Sequence, residues 1–100
     1  MKKVLKFKFQ ETEGFLSFVD QGNFHYALVK KETPKVSSIR STHELLISYE
    51  LKIPKYQVAH THVLEDRKMI EWVYRSLEAD NNLYFKELDD SLCVLEIKKL

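Results

Sequence analysis

Apolar and polar residues alternate with a period of two near both ends of the chain and through much of its middle, the mark of strands with one wet face. Val4-Leu5-Lys6-Phe7-Lys8-Phe9 sets Leu5, Phe7 and Phe9 on one side and Lys6 and Lys8 on the other. Glu11-Thr12-Glu13-Gly14 interrupts the alternation, and Phe15-Leu16-Ser17-Phe18-Val19 resumes it as a more apolar second strand. Asp20-Gln21-Gly22-Asn23 is a hairpin signal, because Gly22 and Asn23 tolerate positive φ, and Phe24 to Val29 is the returning strand. The second and third strands are therefore expected to be antiparallel neighbours.

The period then changes. Val36, Ile39 and His43 follow at helical spacing. Thr33 suits an N-cap, since its hydroxyl can accept from a free first-turn N–H, and Pro34 suits the first helical position because it has no N–H to lose. A short helix is predicted from about Pro34 to Thr42. Leu45 to Leu51 is apolar on both sides for most of its length and reads as a central strand; after the turn at Lys52-Ile53-Pro54-Lys55, Tyr56 to Val63 reads as the next. Asp66 is placed to cap a helix running to about Glu78, in which Ile70, Val73 and Leu77 form an apolar stripe joined by Met69 and Trp72. Tyr84 to Leu88 reads as one further turn, and Leu92 to Ile97 as a closing strand that directs Cys93, Leu95 and Ile97 to the core. The predicted fold is mainly β, a six-stranded antiparallel sheet curled into a barrel with two short helices against its outside or rim.

Composition narrows the function classes. A chain of 100 residues supports one domain, spanning 1–100, with a real core. A net charge of +1 argues against an extended phosphate-tracking surface. Lys6 and Lys8 lie opposite the Phe side chains, so that strand face reads as solvated rather than as a base-stacking platform, and no nucleic-acid partner is expected. No apolar run approaches the roughly 20 residues of a membrane helix, and the Met-Lys-Lys start leads into alternating Lys and Phe rather than a signal peptide's apolar segment. The expected setting is cytoplasmic, with no membrane partner. The single cysteine, Cys93, agrees: it has no internal disulfide partner and reads as a buried strand residue without a nucleophilic role.

Candidate chemistry is sparse. His60-Thr61-His62 places two imidazoles on one face of a strand, fewer than the three or four ligands zinc normally takes, so half-buried strand histidines and no metal are expected. No Gly-x-Ser-x-Gly elbow is present, two glycines leave no room for a glycine-rich phosphate loop, and Glu65/Asp66 and Asp89/Asp90 sit at turn or cap positions. No catalytic acid or base is marked. What remains is Lys30 to Arg40, where a strand ends and a helix begins with cations clustered around its first turn. Free amides, the positive dipole end and Lys35 together make a place for a phosphate or carboxylate. The plainer reading is a capped helix with solvated lysines.

From about Phe15 to Leu95 the chain resembles the pyridoxamine 5'-phosphate oxidase-like family, the flavin mononucleotide-binding split barrels. Asp20-Gln21-Gly22-Asn23-Phe24-His25-Tyr26-Ala27 is similar to that family's hairpin and following strand, and Thr33-Pro34-Lys35-Val36-Ser37-Ser38-Ile39-Arg40 to its Ser-x-Lys segment and short helix. Leu45 to Tyr49, Val63-Leu64-Glu65-Asp66-Arg67 with the Trp72 helix, and Val94-Leu95-Glu96-Ile97 match the later elements. The resemblance implies a six-stranded split barrel, a homodimer, and flavin mononucleotide (FMN) in a groove between subunits. It also implies flavin-dependent oxidoreductase chemistry on an unidentified small molecule. Carried over by position, Thr33 and Lys35 fall at the phosphate side and Val29 where the preceding strand often supplies a flavin-contacting Thr; Lys30 and Arg40 are the flanking cations. Val29 cannot hydrogen-bond through its side chain, no arginine lies between Glu11 and Asp20, and the family's N-terminal helix is missing. These departures support an alternative, a degenerate barrel without cofactor acting as a non-enzymatic dimeric or ligand-binding module. A third reading, a related cofactor or haem, has no histidine marked as an axial ligand.

Overall fold

The alternating segments form six strands, each hydrogen-bonded to a neighbour on both sides, which closes the sheet into a barrel. The computed structural model describes residues 3–100. Met1 and Lys2, part of the start read above as lacking a signal peptide, lie outside the described residues. In chain order the elements are β1 (Val4–Phe9), β2 (Thr12–Gln21), β3 (Phe24–Lys30), α1 (Pro34–Thr42), β4 (Glu44–Ser48), β5 (Gln57–Leu64), α2 (Arg67–Ala79) and β6 (Leu92–Lys98). Around the barrel the order is β1-β2-β3-β6-β5-β4, with β4 returning to β1 and every pair antiparallel. No helix among the described residues is long and apolar enough to cross a membrane.

Inward positions of all six strands build the first core. Leu5, Leu16, Phe18, Ala27, Val29, Leu45, Ile47, Ala59, Cys93, Leu95 and Ile97 meet inside the barrel, joined by Val36 and Ile39 of α1. The strand-six expectation holds: Cys93, Leu95 and Ile97 are fully enclosed. A second core lies outside the barrel wall, where Val19, Tyr26, Leu28, Leu92 and Val94 receive Ile70, Val73, Tyr74 and Leu77 of α2. Strands β2, β3 and β6 are thus apolar on both faces along much of their length, and the apolar stripe on α2 packs on the sheet as its spacing predicts.

Both helices start as their caps dictate. The Thr33 hydroxyl accepts from Val36 N at 3.4 Å with Pro34 as the first helical residue, and the Asp66 carboxylate accepts from Lys68 N at 3.3 Å. α1 stops at His43, which takes the left-handed conformation (φ 58°) and donates its N–H to Ile39 O.

Four local expectations are corrected. The break at Glu11–Gly14 contracts to a turn at Gln10-Glu11, Gln10 carrying φ 54°, and Thr12 already pairs with Phe9. Gly14 is a strand residue: a Cβ there would lie 2.7 Å from Phe7 Cε1, so glycine marks the close passage of the Phe7 ring rather than a turn. In the next hairpin Gly22 takes positive φ (61°), whereas Asn23 does not. The strand read as Leu45–Leu51 ends at Ser48, whose hydroxyl accepts from Glu50 N and Lys55 N and turns the chain. It is bonded on both edges, to β1 and β5, but not covered on both faces: Leu46 points outward at 36% exposure. Barrel closure satisfies a strand's edges without covering its outer side. Finally, Tyr84 to Leu88 forms no helical turn; this irregular segment lays Leu83, Phe85 and Leu88 against the outer core.

Candidate functional site

β2 and β3 pair only near their hairpin, from Gln21↔Phe24 to Phe18↔Ala27. The same register continued would join Ser17 to Leu28, Leu16 to Val29 and Phe15 to Lys30, but those pairs do not form. Residues Phe15 to Ser17 stay with β1, and Leu28 to Lys30 stay with β6. The strands part, and a cleft of about 290 Å³ opens between them. Phe7, Phe15, Tyr84 and Phe85 wall it, Leu16, Leu28 and Leu77 add apolar surface, and Ser17 and Asn82 supply polar groups. Asn82, only 3% exposed, accepts from the Ser17 hydroxyl at 3.0 Å and donates to Lys3 O at 2.9 Å.

Four of the five residues singled out by resemblance border this cleft: Val29, Lys30, Thr33 and Lys35. Thr33 and Lys35 also line a neighbouring depression with Phe9, Thr12 and Pro34. Lys35 is half-buried, with Nζ 4.9 Å from the centre of the Phe7 ring and no carboxylate in an ion pair with it among the described residues. Burial lowers its pKa from the ordinary lysine value, outweighing an opposing effect of Cys93. Lys30 Nζ donates to Ser91 Oγ at 2.8 Å and lies 5.7 Å from the Phe85 ring centre. Thr33 Oγ1 donates to Lys30 O at 3.2 Å while accepting from Val36 N. Val29 contributes only apolar surface at 4% exposure.

The fifth residue lies elsewhere. Arg40 pairs with Glu65 at 3.0 Å and lines a separate cavity of about 230 Å³ with Ile39, His43, His62 and Val63. Among the described residues no Asp, Glu, His or Cys lines the main cleft, so its chemistry is that of an aromatic slot with ammonium groups at one rim. Cys93 is enclosed in the barrel, and burial pushes its thiol up to about 11, the state of an unreactive core thiol.

Residue-by-residue reading did not single out the polar chain at the other, hairpin end. His25, 5% exposed and turned into the barrel, joins Asp20 Oδ1 through Nδ1 at 2.5 Å and Tyr49 OH through Nε2 at 2.6 Å. Burial lowers the His25 pKa below the ordinary imidazole value, against the raising influence of Asp20. Burial alone would raise the Asp20 carboxyl, but hydrogen bonds from His25 and Lys3 and their charges hold it below the ordinary value. The one available signal was that His25 shares the strand face of Ala27 and Val29.

No protein-family model matches this sequence, and no curated protein matches it. Among solved structures the chain is similar to a candidate pyridoxamine 5'-phosphate oxidase from Listeria innocua, with a TM-score of 0.61 and 18% identity over 96% of this chain and 81% of that one. It is likewise similar to General Stress Protein 26 from Bacillus anthracis strain Sterne, with a TM-score of 0.63 and 14% identity over 97% of this chain and 78% of that one. At these identities the likeness is one of fold. The resemblance to the pyridoxamine 5'-phosphate oxidase-like family stands at that level: this chain is built as the same split barrel.

Proposed function

We propose that this protein binds FMN at the cleft between β2 and β3, as a cytoplasmic homodimer, and serves flavin-dependent oxidation or reduction of a small molecule. One observation carries the reading. The half-buried Lys35 ammonium has a phenyl ring and, among the described residues, no anion against it, and it stands beside the opening turn of α1 at the rim of an aromatic-walled cleft. An anionic group there would meet Lys35, Lys30 and the one first-turn amide without a partner among the described residues, that of Lys35, while the aromatic walls suit a flat ring. The residues fit a phosphate at this rim: Lys35 would hold it, and Thr33 would join by turning its hydroxyl from Lys30 O to the phosphate. Bound flavin would supply the hydride or electron transfer; the chain's own residues position the phosphate and shield the ring from water.

The cleft is at the small end of the ~300–1,000 Å³ range of ligand sites, so one protomer receives only part of such a ligand. In the proposed dimer, the second protomer covers the remainder.

A second reading, a ligand-binding barrel without flavin, is favoured by three details: Val29 offers no side-chain donor, Thr33 already caps α1, and Lys30 is engaged by Ser91. Titration separates the two. FMN should quench on binding and raise the unfolding temperature, a ligand at 100 times its Kd adding about 2.7 kcal/mol. Riboflavin, lacking the phosphate, should bind more weakly, and Lys35→Ala should erase that difference. Absence of quenching and of a thermal shift at millimolar FMN would defeat the flavin reading and leave the cofactor-free one.

A further inference from the structure

Spacing offers two histidines on β5, and the fold brings a third. His60 and His62 both point to the outer side of the barrel, where their rings lie 4.7 Å apart and nearly perpendicular, with Nε2 to Nε2 at 3.1 Å. His43, at the end of α1, lies 5.2 Å from the His62 ring and 6.3 Å from that of His60. This meeting is built in rather than incidental. The left-handed turn at His43 directs its carbonyl to Thr61 N, 2.8 Å away, so the backbone of His43 is stitched to the strand midway between the other two histidines.

We propose that His43, His60 and His62 form a surface site for a divalent transition-metal ion, with Zn(II) as the reference ion. Two imidazole nitrogens each about 2.0–2.1 Å from one ion stand ~2.9 Å apart at a right angle and ~3.3 Å apart at a tetrahedral angle. The observed 3.1 Å lies between these values, so the two nitrogens already stand at the separation a shared ion requires, and the ion would replace the hydrogen bond between them. Among the described residues, no three ligand-type side chains are yet gathered around one point. His43 therefore supplies the third nitrogen by a change of side-chain rotamer, its backbone remaining where the Thr61 bond fixes it. Water completes the shell, as an exposed site allows.

The surroundings suit a cation. Glu44 stands opposite His60 and Glu96 opposite His62 in the strand register, and the neighbouring Arg40 is neutralised by Glu65. Nitrogen ligands without a thiolate select borderline ions over Mg(II) or Ca(II). The site is separate from the β2–β3 cleft, none of whose lining residues it shares.

The test is calorimetric titration of the metal-free full-length protein with zinc chloride, paired with metal analysis after gel filtration. One Zn(II) per chain is expected. His60→Gln and His62→Gln should each weaken binding by about 100-fold, at or beyond the upper end of what loss of an outer-shell partner costs. His43→Asn, which keeps a residue at ease in the left-handed turn, should weaken it about 10-fold, since that ligand must move to bind. Unfolding temperatures of the metal-free variants should match the parent, so a lost fold cannot imitate a lost ligand. No binding by the parent protein, unchanged affinity in the His60 and His62 variants, or half an ion per chain bridging two copies would each overturn the proposal.

Discussion

The barrel has two unlike halves. Around β2, β3 and β6 the wall is apolar on both sides, the inside filled by Ala27, Val29, Cys93 and Leu95 and the outside by α2 on Val19, Tyr26, Leu28 and Val94. Around β1, β4 and all but the end of β5 only the inside is packed, while Lys6, Lys8, Leu46 and Val58 face outward. The ladders are of the same antiparallel kind, so hydrogen bonding does not explain the difference; the second apolar layer does. Within the covered half, β2 and β3 are joined at the hairpin end and open at the other, and the cleft lies in that opening.

Truncation is the hardest test of this contrast. Leu77→Ala, on α2 over the covered half, should cost about 2–5 kcal/mol through lost burial and a cavity, whereas Val58→Ala on the bare half should stay within about 0.5 kcal/mol of the parent. Urea unfolding measures both. A comparable loss in the two variants would mean that the bare wall is in fact covered, as in a tight dimer, and its dependence on protein concentration would reveal this.

The seam between the two halves, where β1 pairs with β2, is tested next. Gly14→Ala would put a methyl against the Phe7 ring, and such overpacking should cost about 1–3 kcal/mol. Combining it with Phe7→Leu should recover part of the loss, a coupling that thermal unfolding of the four proteins would reveal.

At the joined end, the Asp20–His25–Tyr49 chain ties the hairpin to the end of β4 across the barrel. Tyr49→Phe should cost about 0.5–1.5 kcal/mol. Because burial depresses the His25 pKa, the unfolded chain binds a proton more readily than the folded one. The corresponding stability is fully present above the unfolded value near 6.5 and is lost as pH falls through the folded one; Asp20, also depressed, extends the loss below 3.8. His25→Gln should flatten the slope just below pH 6.5 in urea titrations run at several pH values, and an unchanged slope would show that another group carries it.

The smallest effect on stability belongs to the open end. Lys35→Met should leave stability within about 0.5 kcal/mol at pH 7, because it removes a desolvated charge while keeping the stem over Phe7. A larger loss would make Lys35 a support of the split rather than a group free to meet a ligand.

Much of this was legible in the chain. The six strands, the α1 and α2 caps at Thr33 and Asp66, and the inward run Cys93, Leu95, Ile97 follow from side-chain period and from groups within a turn of one another. The cations around Thr33 were legible too, since they are neighbours along a strand end and a helix start. Others were not. Gly14 reads as a break until Phe7 is seen lying over it, Leu46 reads as buried until the outer wall is seen bare, and Arg40 reads as a ligand candidate until Glu65 is found beside it.

Local order, then, belonged to the sequence itself: period, capping and turn chemistry act over a few residues and leave their signs there. The parting of β2 from β3, the apolar layer on one half of the wall and the meeting of His43 with His60 and His62 were decided by tertiary structure. Each depends on how distant segments are registered against one another, and the energy of such contacts resides in the pairing rather than in either segment alone.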